Sequence, residues 1–374
     1  MFSQIKEWVD NRHEYAKQWQ ARTGGKVLGY FCTYAPEEVM YAAGVLPVRI
    51  LGSHEPLDVT EPYIFGMYCP FCRDCLAQGL KGRFDYLNGI MIAHSCLHIR
   101  QAYTSWEMHV PVEYSYYLPM PNNVQSPRAS EYLTQELGSF KKTIEELTGN
   151  EVSDAKLDEA IATYNTTRRL MKQIYEMRKQ EDPLVTGLES MYMVLAAQMV
   201  DKAELNKELE KIVAQLPNRK LGRKNNVRLI MVGSEDDDRG FVEMIESLNA
   251  NVVTDEHCTG SRYFWNEVEP EENRLAAIAK RYVNRTPCPS KDWPERRRVA
   301  EVVRLAKEWN CQGALMIQQK FCDPHESDIP SLKSALEAEG IKTYFLELDV
   351  TVPLGQFKIR VEAFLEMLEG DLLF

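Results

Sequence analysis

Lys26-Val27-Leu28-Gly29-Tyr30-Phe31, then Cys32-Thr33-Tyr34-Ala35-Pro36-Glu37-Glu38, then Leu46-Pro47-Val48-Arg49-Ile50-Leu51: the reading of this stretch decides the fold. The first run is short and apolar, as a strand buried on both faces must be. Pro36 suits a first helical turn, where its missing N–H costs nothing, and Glu37 and Glu38 favour the positive end of a helix. Gly44 closes that helix, and Leu46–Leu51 reads as the next strand. Strand, turn, helix, strand is the opening of a parallel α/β layer.

The same alternation extends outward. Phe2 to about Arg22 reads as one helix, with Ile5, Trp8, Val9 and Tyr15 on a single side, stopped by Thr23-Gly24-Gly25. Pro70–Gly79 reads as a helix, Tyr86–His94 as a strand, His98–Met108 as a helix and Val112–Tyr117 as a fourth strand. From Leu118 the texture changes. Pro119, Pro121 and Pro127 punctuate a polar connection, and long helical patterns follow over Ser130–Thr148, Ser153–Gln180 and Gly187–Leu216. A second α/β unit starts near Asn225. Its expected strands are Val227–Gly233, Asn251–Asp255, Ala314–Gln318 and Thr343–Leu348, and its expected helices Phe241–Leu248, Ser331–Glu339 and Gln356–Leu368. The expected fold class is α/β, with two Rossmann- or flavodoxin-like parallel-sheet units. The expected division is an N-terminal unit at 1–125, a helical segment at 126–224 and a C-terminal unit at 225–374. No sequence repeat is visible, although Phe31-Cys32 and Phe321-Cys322 each follow a buried strand.

With 374 residues, 44% hydrophobic and 26% charged, the chain has the composition of a globular protein with room for two domains. No apolar run approaches the roughly 20 residues of a membrane span. Met1–Trp8 lacks the apolar core of a secretory signal, so a cytoplasmic location is expected. Cysteines there are expected to be reduced, ligating or buried rather than disulfide-paired. The net charge of −11 argues against nucleic acid and anionic membranes as partners. The basic clusters at Lys220–Lys224 and Glu295–Arg298 read as solvated helix faces.

The chemistry concentrates in Met67–Arg100. Cys69, Cys72 and Cys75 stand in Cys-Pro-Phe-Cys-Arg-Asp-Cys, and Cys96 in Ser-Cys-Leu-His-Ile-Arg. Both sites fall where a strand gives way to a helix, the edge at which open α/β sheets bind ligands. Soft thiolates suit zinc or an iron–sulfur cluster. The spacing is neither a ferredoxin run, which needs a further Cys-Pro, nor a zinc ribbon, which needs a second Cys-x2-Cys. A redox dithiol and a structural zinc stay open beside the favoured cluster. Three-residue steps drift around a helix axis, so Cys69, Cys72 and Cys75 do not all ligate one centre. Cys258, after a strand, is the main competitor as a ligand. Cys288, between Pro287 and Pro289, reads as loop structure, Cys311 as a small buried residue, and Cys32 as wall or core.

Taken together and in order, these motifs resemble the 2-hydroxyacyl-CoA dehydratase / benzoyl-CoA reductase family. Gly29–Glu38 followed by Tyr41–Arg49 is similar to its N-terminal signature, and Cys69-Pro70-Phe71-Cys72-Arg73 to its first cluster motif. Ser95-Cys96 with Arg100 is similar to the second, with Leu97 where an Asp is common. Phe321-Cys322-Asp323 is similar to the third, and Arg360–Glu366 to the C-terminal signature. The resemblance implies a [4Fe–4S] cluster held by Cys69, Cys96 and Cys322 in the cleft between the two units. Cys72 and Cys75 then lie nearby without ligating. The length and Pro111–Ala129 point within the family to the smaller, C-type (gamma) component of ATP-dependent benzoyl-CoA reductases. Those pass low-potential electrons to the ring of benzoyl-CoA and yield a cyclohexadienoyl-CoA.

The nearest alternative is a subunit of a 2-hydroxyacyl-CoA dehydratase, which removes water through a ketyl radical. An alternative of another class is a cluster-bearing electron-transfer or maturation scaffold. No Gly-x4-Gly-Lys-Ser/Thr phosphate loop is present, so ATP hydrolysis is expected on a partner. The resemblance implies three partners: a larger homologous subunit, an ATP-hydrolysing activator with its own cluster, and a ferredoxin upstream. The implied substrate is an aromatic acyl-CoA. Tyr34, Glu37 and His98 are the candidate proton donors. Arg262 is read as a ligand for CoA phosphates or as one half of an ion pair.

Overall fold

The computed structural model describes residues 1–371. Two four-stranded sheets carry the fold. The first contains β1 (Lys26–Tyr30), β2 (Val45–Arg49), β3 (Gly89–Ala93) and β4 (Tyr114–Leu118), in the order β2-β1-β3-β4. The second contains β5 (Val227–Gly233), β6 (Ala250–Glu256), β7 (Gly313–Gln319) and β8 (Lys342–Leu348), in the order β6-β5-β7-β8. Every pairing is parallel. Counted within each unit, both orders are 2-1-3-4, the start of the flavodoxin-like arrangement. The expectation of two parallel-sheet units is met, and the units share one topology although their sequences do not repeat.

Burial follows the topology. β3 and β7 are buried along their whole length, while β4 and β8, at one edge of each sheet, are partly exposed. One apolar core runs through both units, from Val27, Leu46 and Ile90 to Leu229, Val252 and Leu315. The helical segment covers the rest. Leu133, Leu137 and Phe140 of helix Ala129–Thr148 join Ile278 and Tyr282 of helix Arg274–Asn284 in a second core. Polar ties also cross between the halves. Arg49 pairs with Glu235 at 3.0 Å, and Tyr282 Oη donates to the Ala35 carbonyl at 2.6 Å. Among the described residues no helix is long and apolar enough to cross a membrane.

Several local expectations change. The first helix is two, Ser3–Asp10 and Arg12–Thr23, broken at Asn11. Gly187–Leu216 is also two helices, Gly187–Ala197 and Lys202–Gln215. Asp201 caps the second by accepting from the Ala203 and Glu204 amides, so it starts a new helix instead of continuing the old one. The helix expected from Ser331 starts at Asp323 and carries Pro330 inside it. Helices Arg274–Asn284 and Arg297–Glu308 had no expectation.

The basic stretch Glu295–Arg298 is not a solvated face. Arg298 is 0% exposed, donating to Glu256 and Asp328 at 2.6 Å each. Arg262 is also an internal ion-pair partner of Glu256 and is buried.

Candidate functional site

A cavity of about 270 Å³ opens where the C-terminal ends of the two sheets face each other. Such ends, at the switch point between β1 and β3 and its counterpart between β5 and β7, are where open parallel sheets bind ligands. Cys69, Cys96 and Cys322 all line it, so the structure brings the three together. A broader cleft of about 590 Å³, walled by Trp265, Arg285 and Arg304, holds neither thiol nor imidazole.

Each of the three cysteines occupies the same position in its element. Cys69 precedes helix Pro70–Leu80, Cys96 precedes Leu97–His109, and Cys322 precedes Asp323–Ala338, each as the N-cap. Their carbonyls accept the first helical bonds, from Arg73 at 3.1 Å, Arg100 at 3.2 Å and Glu326 at 2.9 Å. Pro70 and Pro324 in the first turns fix the local backbone. Three helix N-termini, with their unpaired amides and positive dipole ends, thus meet one cavity. The two sheets correspond here as well. Cys96 lies three residues beyond Ala93, the end of β3, and Cys322 three beyond Gln319, the end of β7. The true counterpart of Cys322 is therefore Cys96 and not Cys32, as the Phe-Cys pairs alone suggest.

The thiols are not electrostatically alike. Hydrogen bonding from the Cys72 thiol, aided by His98, outweighs burial and pulls Cys69 down to about 6. Burial pushes Cys96 up to about 12, against the opposing pull of the Ile99 amide. Burial also pushes Cys322 well up, and the charges of Cys69 and Cys96 add to the rise. The sulfurs therefore act on one another directly. Displacing the proton of a buried thiol requires a strongly bound cation in its place.

The candidate proton donors divide. His98 lines the cavity. Its Nδ1 accepts from the Cys69 amide at 3.0 Å, which leaves the proton on Nε2, 3.7 Å from Asp323 Oδ2. Tyr34 and Glu37 are not in the lining. Tyr34 Oη accepts from the Cys288 amide at 3.1 Å, with the Arg285 guanidinium 3.8 Å from its ring centre. Glu37 accepts from Tyr30 at 3.2 Å and Tyr263 at 3.0 Å and pairs with Lys202 at 3.4 Å.

The sequence reading missed other walls of the cavity: Arg49, Glu235, Gln319 and His325. Arg49, at the end of β2, has two guanidinium nitrogens, Nε and Nη1, with no hydrogen-bond partner, and His325 Nδ1 is likewise unpartnered. A cation ending a fully buried strand is the signal that Arg49 offered. Cys288, expected as loop structure, is a wall of the cavity, as are Cys32, Cys72 and Cys258, whereas Cys75 and Cys311 are not.

Residues 32–368 match the family described as 2-hydroxyglutaryl-CoA dehydratase, D-component. The chain belongs to that family. It is 27% identical over 371 residues to the (R)-phenyllactyl-CoA dehydratase beta subunit of Clostridium sporogenes, covering 98% of each chain. It is also 27% identical over 327 residues to the C-type subunit of the benzoyl-CoA reductase of Thauera aromatica, covering 85% of this chain and 84% of the relative. Identity to the beta subunit of (R)-2-hydroxyglutaryl-CoA dehydratase of Acidaminococcus fermentans is 25% over 355 residues, covering 92% and 93%. All three relatives of this 2-hydroxyglutaryl-CoA dehydratase family are named as subunits of enzymes, and each name carries an acyl-CoA.

Among the described residues, no group of three or more His, Cys, Asp or Glu side chains converges to hold a metal ion. Ligands of one ion must crowd a single point, whereas ligands of a polynuclear cluster each take a different metal at a different corner. Thiols spread around a cavity, at helix N-termini, fit the second kind of centre.

Proposed function

We propose that this chain is the iron–sulfur subunit of an ATP-coupled acyl-CoA enzyme, with a [4Fe–4S] cluster held by Cys69, Cys96 and Cys322. The observation that carries this reading is the convergence of three helix-capping cysteines, from both sheets, on one cavity. When bound, the cluster supplies single low-potential electrons. The chain's own residues prepare the place for it. The helix N-termini favour negative charge, and Arg49, half-satisfied by Glu235, adds a buried cation at the wall. Phe31, Phe71 and Ile99 line the cavity and keep water out. His98 is the proton-bearing group that faces it, its Nε2–H directed toward Asp323. Behind the cavity, Tyr34 anchors the Cys288 amide, and Glu37 ties together Tyr30, Tyr263 and Lys202.

The reaction follows one of two forms, reduction of the benzoyl-CoA ring or dehydration of a 2-hydroxyacyl-CoA. Relatives named for each stand at the same 27% identity. The names of these relatives support a homologous larger subunit as partner. The missing phosphate loop supports an ATP-hydrolysing activator, supplied with electrons by a ferredoxin.

The test is anaerobic co-purification with the larger subunit, iron and sulfide analysis, and assay against benzoyl-CoA and 2-hydroxyacyl-CoAs. Consumption of one thioester class, with loss of iron in Cys69→Ala, Cys96→Ala and Cys322→Ala, is expected. Iron retained in any of the three removes that ligand. A cluster-bearing complex with no change in any thioester makes the chain an electron-transfer scaffold instead.

A further inference from the structure

Four thiols that the proposed cluster does not use open on the same cavity, Cys32, Cys72, Cys258 and Cys288; Cys72 hydrogen-bonds Cys69, which leaves Cys32, Cys258 and Cys288 as a separate group. Cys32 follows β1, Cys258 follows β6, and Cys288 precedes the short 3-10 turn Pro289–Lys291. With Cys96 after β3 and Cys322 after β7, four of the eight strand ends deliver a thiol to one void, and Cys69, capping helix Pro70–Leu80, joins them. None of the six is in a disulfide. A free cysteine acting as a small core residue is closed off among apolar neighbours, as Cys311 is, whereas Cys32 and Cys288 rest on the second core but also open on the cavity. Three more of them sharing a wall with three candidate ligands need another explanation.

The charges around this second trio supply it. Arg262 Nη1 donates to Cys258 Sγ at 3.3 Å. Lys291 is 1% exposed, and its Nζ donates to the Pro121 carbonyl at 3.0 Å. Among the described residues no carboxylate pairs with it, and the ionisable groups that act on it are the thiols of Cys288, Cys32 and Cys96. Arg49 is acted on by Cys32 and Cys258 as well as by Glu235. A buried ammonium without a counter-ion is costly, and neutral thiols do not provide one. Metal-bound thiolates do. Cys32 Sγ also lies 3.1 Å from Ser95 Oγ, on the residue next to Cys96, so the two trios adjoin. The sulfurs line the void without meeting at the point that a lone ion would need.

We propose that Cys32, Cys258 and Cys288 hold a second iron–sulfur unit in this cavity, beside the one assigned to Cys69, Cys96 and Cys322. The proposal rests on that assignment. Arg49, Arg262 and Lys291 are its counter-charges.

The test is anaerobic reconstitution of the full chain with ferrous iron and sulfide, then iron and acid-labile sulfide per chain. Wild-type protein is expected to hold about twice the iron of a single [4Fe–4S] unit. Joint replacement of Cys32, Cys258 and Cys288 by serine is expected to halve it, and Cys75→Ser and Cys311→Ser to leave it whole. Iron for one unit in the wild type, lost with Cys69, Cys96 and Cys322 but kept without the other trio, overturns the proposal and leaves the first assignment standing. Iron for one unit, lost only with the second trio, overturns both. The wild-type count requires no variant to fold, so a triple variant that misfolds does not blunt the test.

Discussion

Cys96 caps a helix and, in the proposed assignment, ligates the cluster, two roles that serine can separate. As an N-cap, serine is at least as good a residue, while as a soft ligand it is a poor one. Cys96→Ser should therefore lose cluster iron while the unfolding free energy of the iron-free protein changes by less than about 1 kcal/mol, as denaturant titration will show. Glu256 behaves in the opposite way. Burial alone would raise its carboxyl, but Arg262 and Arg298 outweigh burial and hold it at about 2. Its folded value lies below the unfolded one, so its stabilisation is present above about pH 4.3 and lost as pH falls toward 2. Glu256→Gln leaves two buried guanidinium groups without their shared partner and should cost about 3–5 kcal/mol in denaturant unfolding. At this scale the family resemblance led to Cys69, Cys96 and Cys322, which line one cavity, whereas spacing alone singled out no ligand set. The sequence was not legible for Arg298 or Lys291, because nothing local distinguishes a buried cation from a solvated one. Only the distant Glu256 and Pro121 make the difference.

Elements were legible where burial imposes a pattern. The apolar run Val227–Gly233 matches β5 end to end, and the other strands are displaced by up to three residues. Helix limits were harder, because a side chain such as Asp201 restarts a helix without interrupting the apolar period. The equivalence of Cys96 and Cys322 was invisible to any string comparison. It appears only when β3 and β7 are placed in matching sheets. Gly233, at the end of β5, makes a further demand on its element. A Cβ there would stand 1.8 Å from the Ile317 carbonyl of β7, a backbone atom that cannot turn aside. Gly233→Ala should force β5 from β7 and cost about 4 kcal/mol or more, measurable as lost soluble yield or a collapsed urea midpoint.

Across the whole molecule, the loop after β2 grips the loop after β5. His54 Nε2 lies 2.9 Å from Asp237 Oδ1, and His54 Nδ1 lies 3.2 Å from the Val350 carbonyl. Burial would lower the imidazole, but Asp237 outweighs burial and raises it to about 10. The folded value lies above the unfolded one, so this tie is fully present below about pH 6.5 and lost as pH climbs through 10. Stability measured in urea should decline over that window, and His54→Ala should flatten the decline. A wild-type profile as flat as that of the variant would remove the tie.

The cavity walls come from chain positions as far apart as Cys32 and Cys322, and they face each other only once both sheets have closed. In the proposed assignment, inorganic loading is the last event in the biogenesis of this chain and not its nucleus. The freshly made polypeptide would first reach a finished apo shape in which five of the six thiols, all but Cys69, are still partly exposed to whatever delivers iron.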